Sequence, residues 1–521
     1  MDATEIDQSY AGVYRQYLER NRLLQPFASV VDQALQGTQW EEPHTAQDYR
    51  NVAVVALAMA EATDEMDLRS LYAETASSAL LATQDPTSVA HRCLLSELSD
   101  APDAGQQALS TLLSLAAASS RTPPGLVYLP LTRPPWLRAE LLRQLWQAET
   151  AEQQALLLTV EALRRSPLVF YSAQGLRFLQ LAVAHYPQAG TLQLQLGLAL
   201  LFSGRVEGLV NLHRALDLAA GETEQRAAAY QALHLAYRLL SSGQATHWRQ
   251  QAIAAAQKDA ETSSAWQWAQ LAPESPITYL PFEGFTLAAE ANLRSIVTSV
   301  LLAEGTWFEA ELELWRHQLQ PGMVVIDVGA NVGVYTFSAA RQVGRSGRVF
   351  AVEPFAGCVQ CLQETCRINH LDWVTVCEAA ASDRPGAAQL RLRQSSELNE
   401  LLPQSAAEGS GSAATVACIT LDGLVTQYGL RRVDWIKIDA EGHELPVLEG
   451  AVSLLQRFKP SILYENIAGG AGANLEVSRW LQRSGYRLYR YRPYLRALEP
   501  VNVLAETQGI LNLIALPAEA L

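Results

Sequence analysis

Positive charge is under-represented in this sequence. The 39 Lys and Arg stand against 54 Asp and Glu, so the formal net charge is 39 − 54 = −15. A chain this acidic repels polyanions on average, which argues against general nucleic-acid binding. Long apolar runs are missing as well: none approaches the roughly 18–20 residues that cross a bilayer, so no membrane span is expected. The opening stretch, Met1-Asp2-Ala3-Thr4-Glu5-Ile6-Asp7, lacks the basic-then-apolar pattern of a secretory signal. Six cysteines in 521 residues are too few for a disulfide framework. These absences make a reducing cytoplasm the expected location.

What is present is a globular composition, 49% hydrophobic and 18% charged. The length predicts two or three domains. Residues 1 to about 270 are rich in Ala, Leu, Gln and Glu, and apolar residues recur at three- and four-residue steps, as in Leu157, Val160 and Leu163. This predicts an all-α region. Thr122-Pro123-Pro124-Gly125 and Arg133-Pro134-Pro135 bracket a non-helical connection, because adjacent prolines do not fit inside a helix. A boundary there gives a helical subdomain over 1–121 and a second over 136–270.

A weak internal repeat lies between about 165 and 258. Leu196-Gly197 is followed by Gly204, and Leu235-Ala236 by Gly243. In each copy the small residue is expected to pack two helices closely, with the glycine at their turn. This resembles a tetratricopeptide-type hairpin, although the offset (236 − 197 = 39) exceeds that family's roughly 34 residues. An irregular helical bundle is the other reading. A stacked array makes a concave surface suited to a protein partner or a substrate.

Past Pro273 the texture changes to apolar runs separated by helices, the pattern of a parallel α/β sheet. Val324–Ile326, Val349–Val352, Val374–Val376, Trp435–Ile438 and Ser461–Tyr464 are the expected strands, with helices such as Phe355–Asn369 and Leu445–Arg457 between them.

The first strand runs into Asp327-Val328-Gly329-Ala330-Asn331-Val332-Gly333. Gly329 and Gly333 let the backbone approach a ligand, and Asn331 tolerates a left-handed turn. Asp327 is placed to accept a hydrogen bond or pair with a cationic amine. The G-x-x-x-G spacing is not the G-x-G-x-x-G of nicotinamide sites, and no basic anchor for a pyrophosphate is present. The bend therefore suits a cofactor without phosphates. Glu353 ends the second strand, 353 − 329 = 24 residues on, where a carboxylate takes both hydroxyls of a ribose. Ala379-Ala380-Ala381-Ser382-Asp383 leaves room for a flat base, with Asp383 or nearby backbone on its exocyclic amine; a plain turn explains Asp383 equally well. The densest cluster is Lys437-Ile438-Asp439-Ala440-Glu441-Gly442-His443-Glu444 at the fourth strand tip. Strand alternation puts Lys437 and Asp439 on one side, and so many ionisable groups are costly to assemble for structure alone.

D-V-G-A-N-x-G, V-E-P and K-I-D-x-E-G-H-E, in this order, resemble the FkbM family of methyltransferases. The likeness runs from Thr278 to Pro517 and includes Trp307-Phe308-Glu309, Thr420-Leu421-Asp422 and Tyr464-Glu465. It implies a methyltransferase domain over 278–521 with a class I, Rossmann-like seven-stranded sheet. It also implies S-adenosylmethionine bound by Gly329, Asn331 and Gly333, with Glu353 on its ribose; Asp327, Ala330, Ala381, Asp383 and Asp439 are the further candidate cofactor residues on the strand tips. Family members often methylate a hydroxyl of a sugar or small metabolite, so a small-molecule or glycan acceptor is expected. The Ser-, Ala- and Gly-rich segment Ser395–Ala414 departs from the family and reads as a flexible loop near the substrate mouth.

Methyl transfer is an in-line displacement that needs alignment and, for a hydroxyl acceptor, a base. His443 is the first candidate, Asp439 the second and Glu465 the third, with Lys437 placed to stabilise a developing alkoxide. No metal is required, although Asp439, Glu441 and Glu465 form a carboxylate set of the kind magnesium takes. A helical-repeat adaptor with a cofactor-binding but inert domain is the alternative function. Cys358, Cys361, Cys366 and Cys377 lack a zinc pattern and read as buried small side chains. Tyr486, Tyr489, Tyr491 and Tyr494, interleaved with arginines, read as an amphipathic strand near a sheet edge ahead of a glycan- or nucleic-acid-binding stretch.

Overall fold

The computed structural model describes residues 3–98, 123–164, 173–219, 222–259, 263–271, 276–402, 413–467, 473–502, 504–507 and 509–518. Thr122, Pro273, the start of the repeat (165–172) and residues 403–412 of the Ser-rich segment lie outside them.

The first half is helical, as its composition predicts. Helices Gly190–Phe202 and Gly208–Leu218, then Thr223–Leu239 and Gln244–Ala256, form two successive hairpins. Gly197 acts as predicted, since a Cβ there would lie 2.5 Å from Leu212; its counterpart Ala236 is fully buried. The turns differ between the copies. Gly204 is left-handed at φ +77°, whereas in the second copy Ser241 takes that role at φ +52°.

The proline-bracketed connection is not an exposed linker. Gly125–Pro130 is non-helical and buried within the helical core. Side chains stand in for a neighbouring strand: Tyr14 Oη donates to Val127 O (2.6 Å) and accepts from its N–H (3.2 Å). Tyr17 Oη does the same for Leu129. Buried backbone groups need such partners.

The second half begins with a hairpin, β1 (Ile277–Phe282) and β2 (Phe285–Glu290). The main sheet contains β3 (Val324–Val328), β4 (Arg348–Glu353), β5 (Val374–Glu378), β10 (Trp435–Ile438), β11 (Ser461–Glu465), β12 (Tyr486–Arg492), β13 (Ala497–Pro500) and β14 (Asn512–Pro517). A smaller sheet holds β6 (Ala380–Ala381), β7 (Gly386–Arg391), β8 (Glu400–Leu401) and β9 (Ala413–Ile419). The main order is β13-β12-β14-β11-β10-β3-β4-β5. Strands β11-β10-β3-β4-β5 are parallel, and β14, β12 and β13 pair antiparallel. That is one strand more than the expected seven, because β13 hairpins back onto β12. All five residues of β3 are buried, as a strand covered on both faces requires.

The predicted helix Leu445–Arg457 is two helices, Glu444–Glu449 and Val452–Phe458. The break falls where a Cβ on Gly450 would lie 2.0 Å from Ser382 O, so the backbones meet too closely for a continuous side-chain-bearing helix. The tyrosine run is an amphipathic strand: Tyr486, Tyr489 and Tyr491 are buried, and Arg490 and Arg492 pair with Glu499.

The two halves share buried ionic contacts. Arg133 and Arg164 reach Glu304 at 2.8 and 3.1 Å, and Arg133 also meets Glu161 at 3.0 Å. Gln231 donates to Thr278 Oγ1 and Tyr279 O. Among the described residues, no helix is long and apolar enough to cross a membrane.

Candidate functional site

β3 lies at the centre of the parallel strands; the chain leaves it towards β4 and β5 on one side and returns through β10 and β11 on the other. Crevices at such reversals, outside the carboxyl ends of the strands, are where open sheets bind ligands. A cavity of about 370 Å³ lies there, within the roughly 300–1,000 Å³ range of small-molecule sites.

The bend after β3 and the tip of β4 touch. Gly329 N–H donates to Val352 O (3.0 Å), and Asn331 N–H donates to Glu353 Oε2 (2.8 Å). Asn331 is left-handed at φ +49°, as predicted. Gly329 has φ +72°, and a Cβ there would lie 1.7 Å from Asp439 O. The glycine is thus demanded by the neighbouring strand's continuation. Gly333 does not line the cavity; a Cβ there would collide with Phe337 at 2.3 Å and Leu362 at 2.8 Å. Its role is helix packing, which corrects the ligand-approach expectation.

Glu353 is buried and lines the cavity. Burial pushes it up to about 7, against the pull of the Phe355 and Asn331 amides. Asp327 is buried too; Oδ2 accepts from Thr336 Oγ1 (2.6 Å) and Oδ1 has no hydrogen-bond partner among the described residues. Burial raises it, and Lys437 opposes that rise. Ala330 and Ala381 also line the cavity. Asp383 does not: it is on the surface beside Arg384 and accepts from Ser382 Oγ. The plain-turn reading of Asp383 therefore describes it.

The acidic cluster divides into distinct roles. Lys437 is buried, pairs with Asp439 at 2.7 Å and lies over the Tyr335 ring at 4.7 Å. The alternation argument is borne out, and the ammonium is already engaged. Glu444 is structural: Oε1 accepts from Ala440 and Gly442 N–H and Oε2 from Asn474. Glu441 sits at φ +49° beside left-handed Gly442, and its side chain lines the cavity; burial and the Asp439 charge push it up to about 8. Glu465 also lines the cavity, and burial with three neighbouring carboxylates pushes it up to about 10. One carboxylate oxygen each of Asp439, Glu441 and Glu465 lies within 4.8 Å of the others, the set a divalent cation would use. His443 lines the cavity with Nε2 at 3.0 Å from Ser382 Oγ. Burial holds it below the usual imidazole range.

Several lining residues had no role in the sequence reading. Glu309 accepts from Trp307 Nε1 (2.9 Å), Tyr335 Oη (2.7 Å) and Asn512 Nδ2 (3.1 Å). Its place in Trp307-Phe308-Glu309 was the available signal. Ile296 and Val297 also line the cavity and carry no sequence signal. Ser396, Leu398 and Asn399, from the described part of the Ser-rich segment, close one side.

Residues 327–488 match the methyltransferase FkbM domain. No curated protein matches the chain. Among solved structures, the chain is similar to the methyltransferase FkbM from Methylobacillus flagellatus KT, at 16% identity and TM-score 0.26, over 42% of this chain and 54% of that one. It thus spans about half of that protein's length. A precorrin-6y C5,15-methyltransferase from Geobacter metallireducens GS-15 aligns at 16% identity and TM-score 0.24, over 40% of this chain and 87% of that one. A SAM-dependent O-methyltransferase from Thermotoga maritima aligns at 16% and 0.23, over 40% and 64%. By the domain match, residues 327–488 of this chain are a methyltransferase FkbM domain.

Proposed function

We propose that this chain transfers the methyl group of S-adenosylmethionine to a hydroxyl of a glycan or small metabolite. The observation that carries this reading is the contact between the glycine bend and the neighbouring carboxylate, Asn331 N–H on Glu353 at 2.8 Å, over the carboxyl edge of a parallel sheet. The cavity suits such a molecule: Asp327 Oδ1 is a buried acceptor with no hydrogen-bond partner among the described residues, Glu353 can take ribose hydroxyls, and Ala380 and Ala381 leave space for a flat base. When bound, S-adenosylmethionine supplies a methyl already activated by its positive sulfur. The residues named here hold and align; the helical subdomains, 1–121 and 136–270, dock the acceptor's carrier or a protein partner beside the domain over 278–521.

His443 is the base in this reading. Its lowered pKa leaves it neutral and able to accept a proton at pH 7. Asp439 is committed to Lys437, and Glu441 and Glu465, at about 8 and 10, hold protons at neutral pH. The test is methyl transfer from labelled S-adenosylmethionine to a panel of hydroxyl acceptors, comparing wild type with His443→Gln. Loss of a general base costs about 10²–10⁴ in kcat, with cofactor affinity unchanged. Turnover within threefold of wild type would remove His443 from the role. Cofactor binding without turnover on any acceptor would favour an inert adaptor.

A further inference from the structure

Two hydrogen bonds link the main cavity to an exposed carboxylate. His443 lines the cavity, and its Nε2 lies 3.0 Å from Ser382 Oγ. That hydroxyl in turn lies 3.0 Å from Oδ1 of the exposed Asp383. Ser382 is buried but does not line the cavity. The backbone holds the row in place. Ser382 N–H donates to Ile419 O at 2.8 Å, and a Cβ on Gly450 would lie 2.0 Å from Ser382 O. His443 N–H donates to Ala440 O at 3.1 Å, and His443 O accepts from Val447 N–H at 3.3 Å.

Ser382 has one hydroxyl proton for two neighbours. An ionised carboxylate only accepts, and a hydrogen bond to it is roughly twice as strong as one to a neutral acceptor. The proton therefore goes to Asp383, and Ser382 Oγ is left to accept from His443. This requires the neutral ring to carry its proton on Nε2 and its lone pair on Nδ1. Nδ1 makes no hydrogen bond among the described residues, so it is the ring's uncommitted nitrogen.

We infer that Ser382 and Asp383 are positioning residues: they set the tautomer of His443 and make Nδ1 the atom that receives the acceptor's proton. The same row holds the ring once it is charged, because Nε2–H keeps Ser382 and Ser382 keeps Asp383. In the transfer the acceptor oxygen gains the methyl and gives its proton to Nδ1, and the electron pair of the broken C–S bond stays on sulfur. The inference rests on His443 as the base for its consequence in catalysis, and not for the tautomer itself.

The test is two-bond ¹H–¹⁵N NMR of the full chain with ring-labelled histidine, at about pH 8, where His443 is neutral. His443→Gln assigns its signals. Wild type should show Nε2 protonated and Nδ1 bare. In Asp383→Ala the Ser382 proton is free to turn to Nε2, so the ratio of the Nε2–H to the Nδ1–H form should fall about tenfold. On the acceptor that wild type methylates, kcat should fall about tenfold in Asp383→Ala and Ser382→Ala, with S-adenosylmethionine affinity unchanged. Ser382→Thr, which keeps the hydroxyl, should restore it. The inference is overturned if wild type carries its proton on Nδ1, or if Asp383→Ala, folded by circular dichroism, leaves the ratio as in wild type. A shifted ratio with kcat within threefold of wild type would overturn the role of Nδ1 in proton removal. Full turnover in His443→Gln would sink the base reading and leave the tautomer assignment standing.

Discussion

Three carboxyls in the main cavity are held well above the ordinary carboxylate range: Glu353 at about 7, Glu441 at about 8 and Glu465 at about 10. Burial is the first cause in each, so the folded chain holds protons that the unfolded chain, with values near 4.5, has released. Where the folded state binds more protons, stability falls as pH rises. The ligand-free protein should therefore lose thermal stability as pH rises from about 4.5 to about 10, most steeply below pH 7 where all three groups still hold their protons, and Glu465→Gln should reduce the loss. A series of melting curves checks this; equal slopes for wild type and variant would contradict it. At this scale the sequence revealed residue types at strand tips but not their division of labour. Lys437 and Asp439 follow from strand alternation. Glu444 instead holds the amides of Ala440 and Gly442, and Asp383 turns to the surface. Those choices depend on neighbours distant in sequence, such as Asn474 for Glu444.

The elements were legible where periodicity is strong. The five parallel strands fall where their apolar runs predict, and the first helical hairpin packs on Gly197. Two features were hidden because a distant backbone sets them. The helix break at Gly450 answers to Ser382, and the proline-bracketed connection is buried because Tyr14 and Tyr17, more than a hundred residues away, bond its backbone. Gly333 belongs to this scale. It precedes helix Val334–Val343 at φ +101°, against Phe337 and Leu362. Gly333→Ala should destabilise the fold by about 1–3 kcal/mol through overpacking, seen as a lower denaturant midpoint, with S-adenosylmethionine affinity unchanged in the folded fraction. Lost affinity at unchanged stability would return the glycine to the ligand.

Across the whole molecule, the halves meet on Glu304, which faces both Arg133 and Arg164 in a buried setting. Removing one partner of a buried ionic group strands the rest, at about 3–5 kcal/mol. Glu304→Ala should lower the denaturant midpoint accordingly, and a change under about 1 kcal/mol would show the contact to be dispensable. Composition predicted the two halves but could not show that residues 140 apart pair across them. The central claim, that the bend at Gly329 and the carboxylate of Glu353 hold S-adenosylmethionine, is tested most directly by titration calorimetry of the full chain, wild type beside Glu353→Gln. The account predicts one site in wild type and binding at least about tenfold weaker in the variant. No heat at high micromolar cofactor, or equal affinity in both proteins, would contradict it.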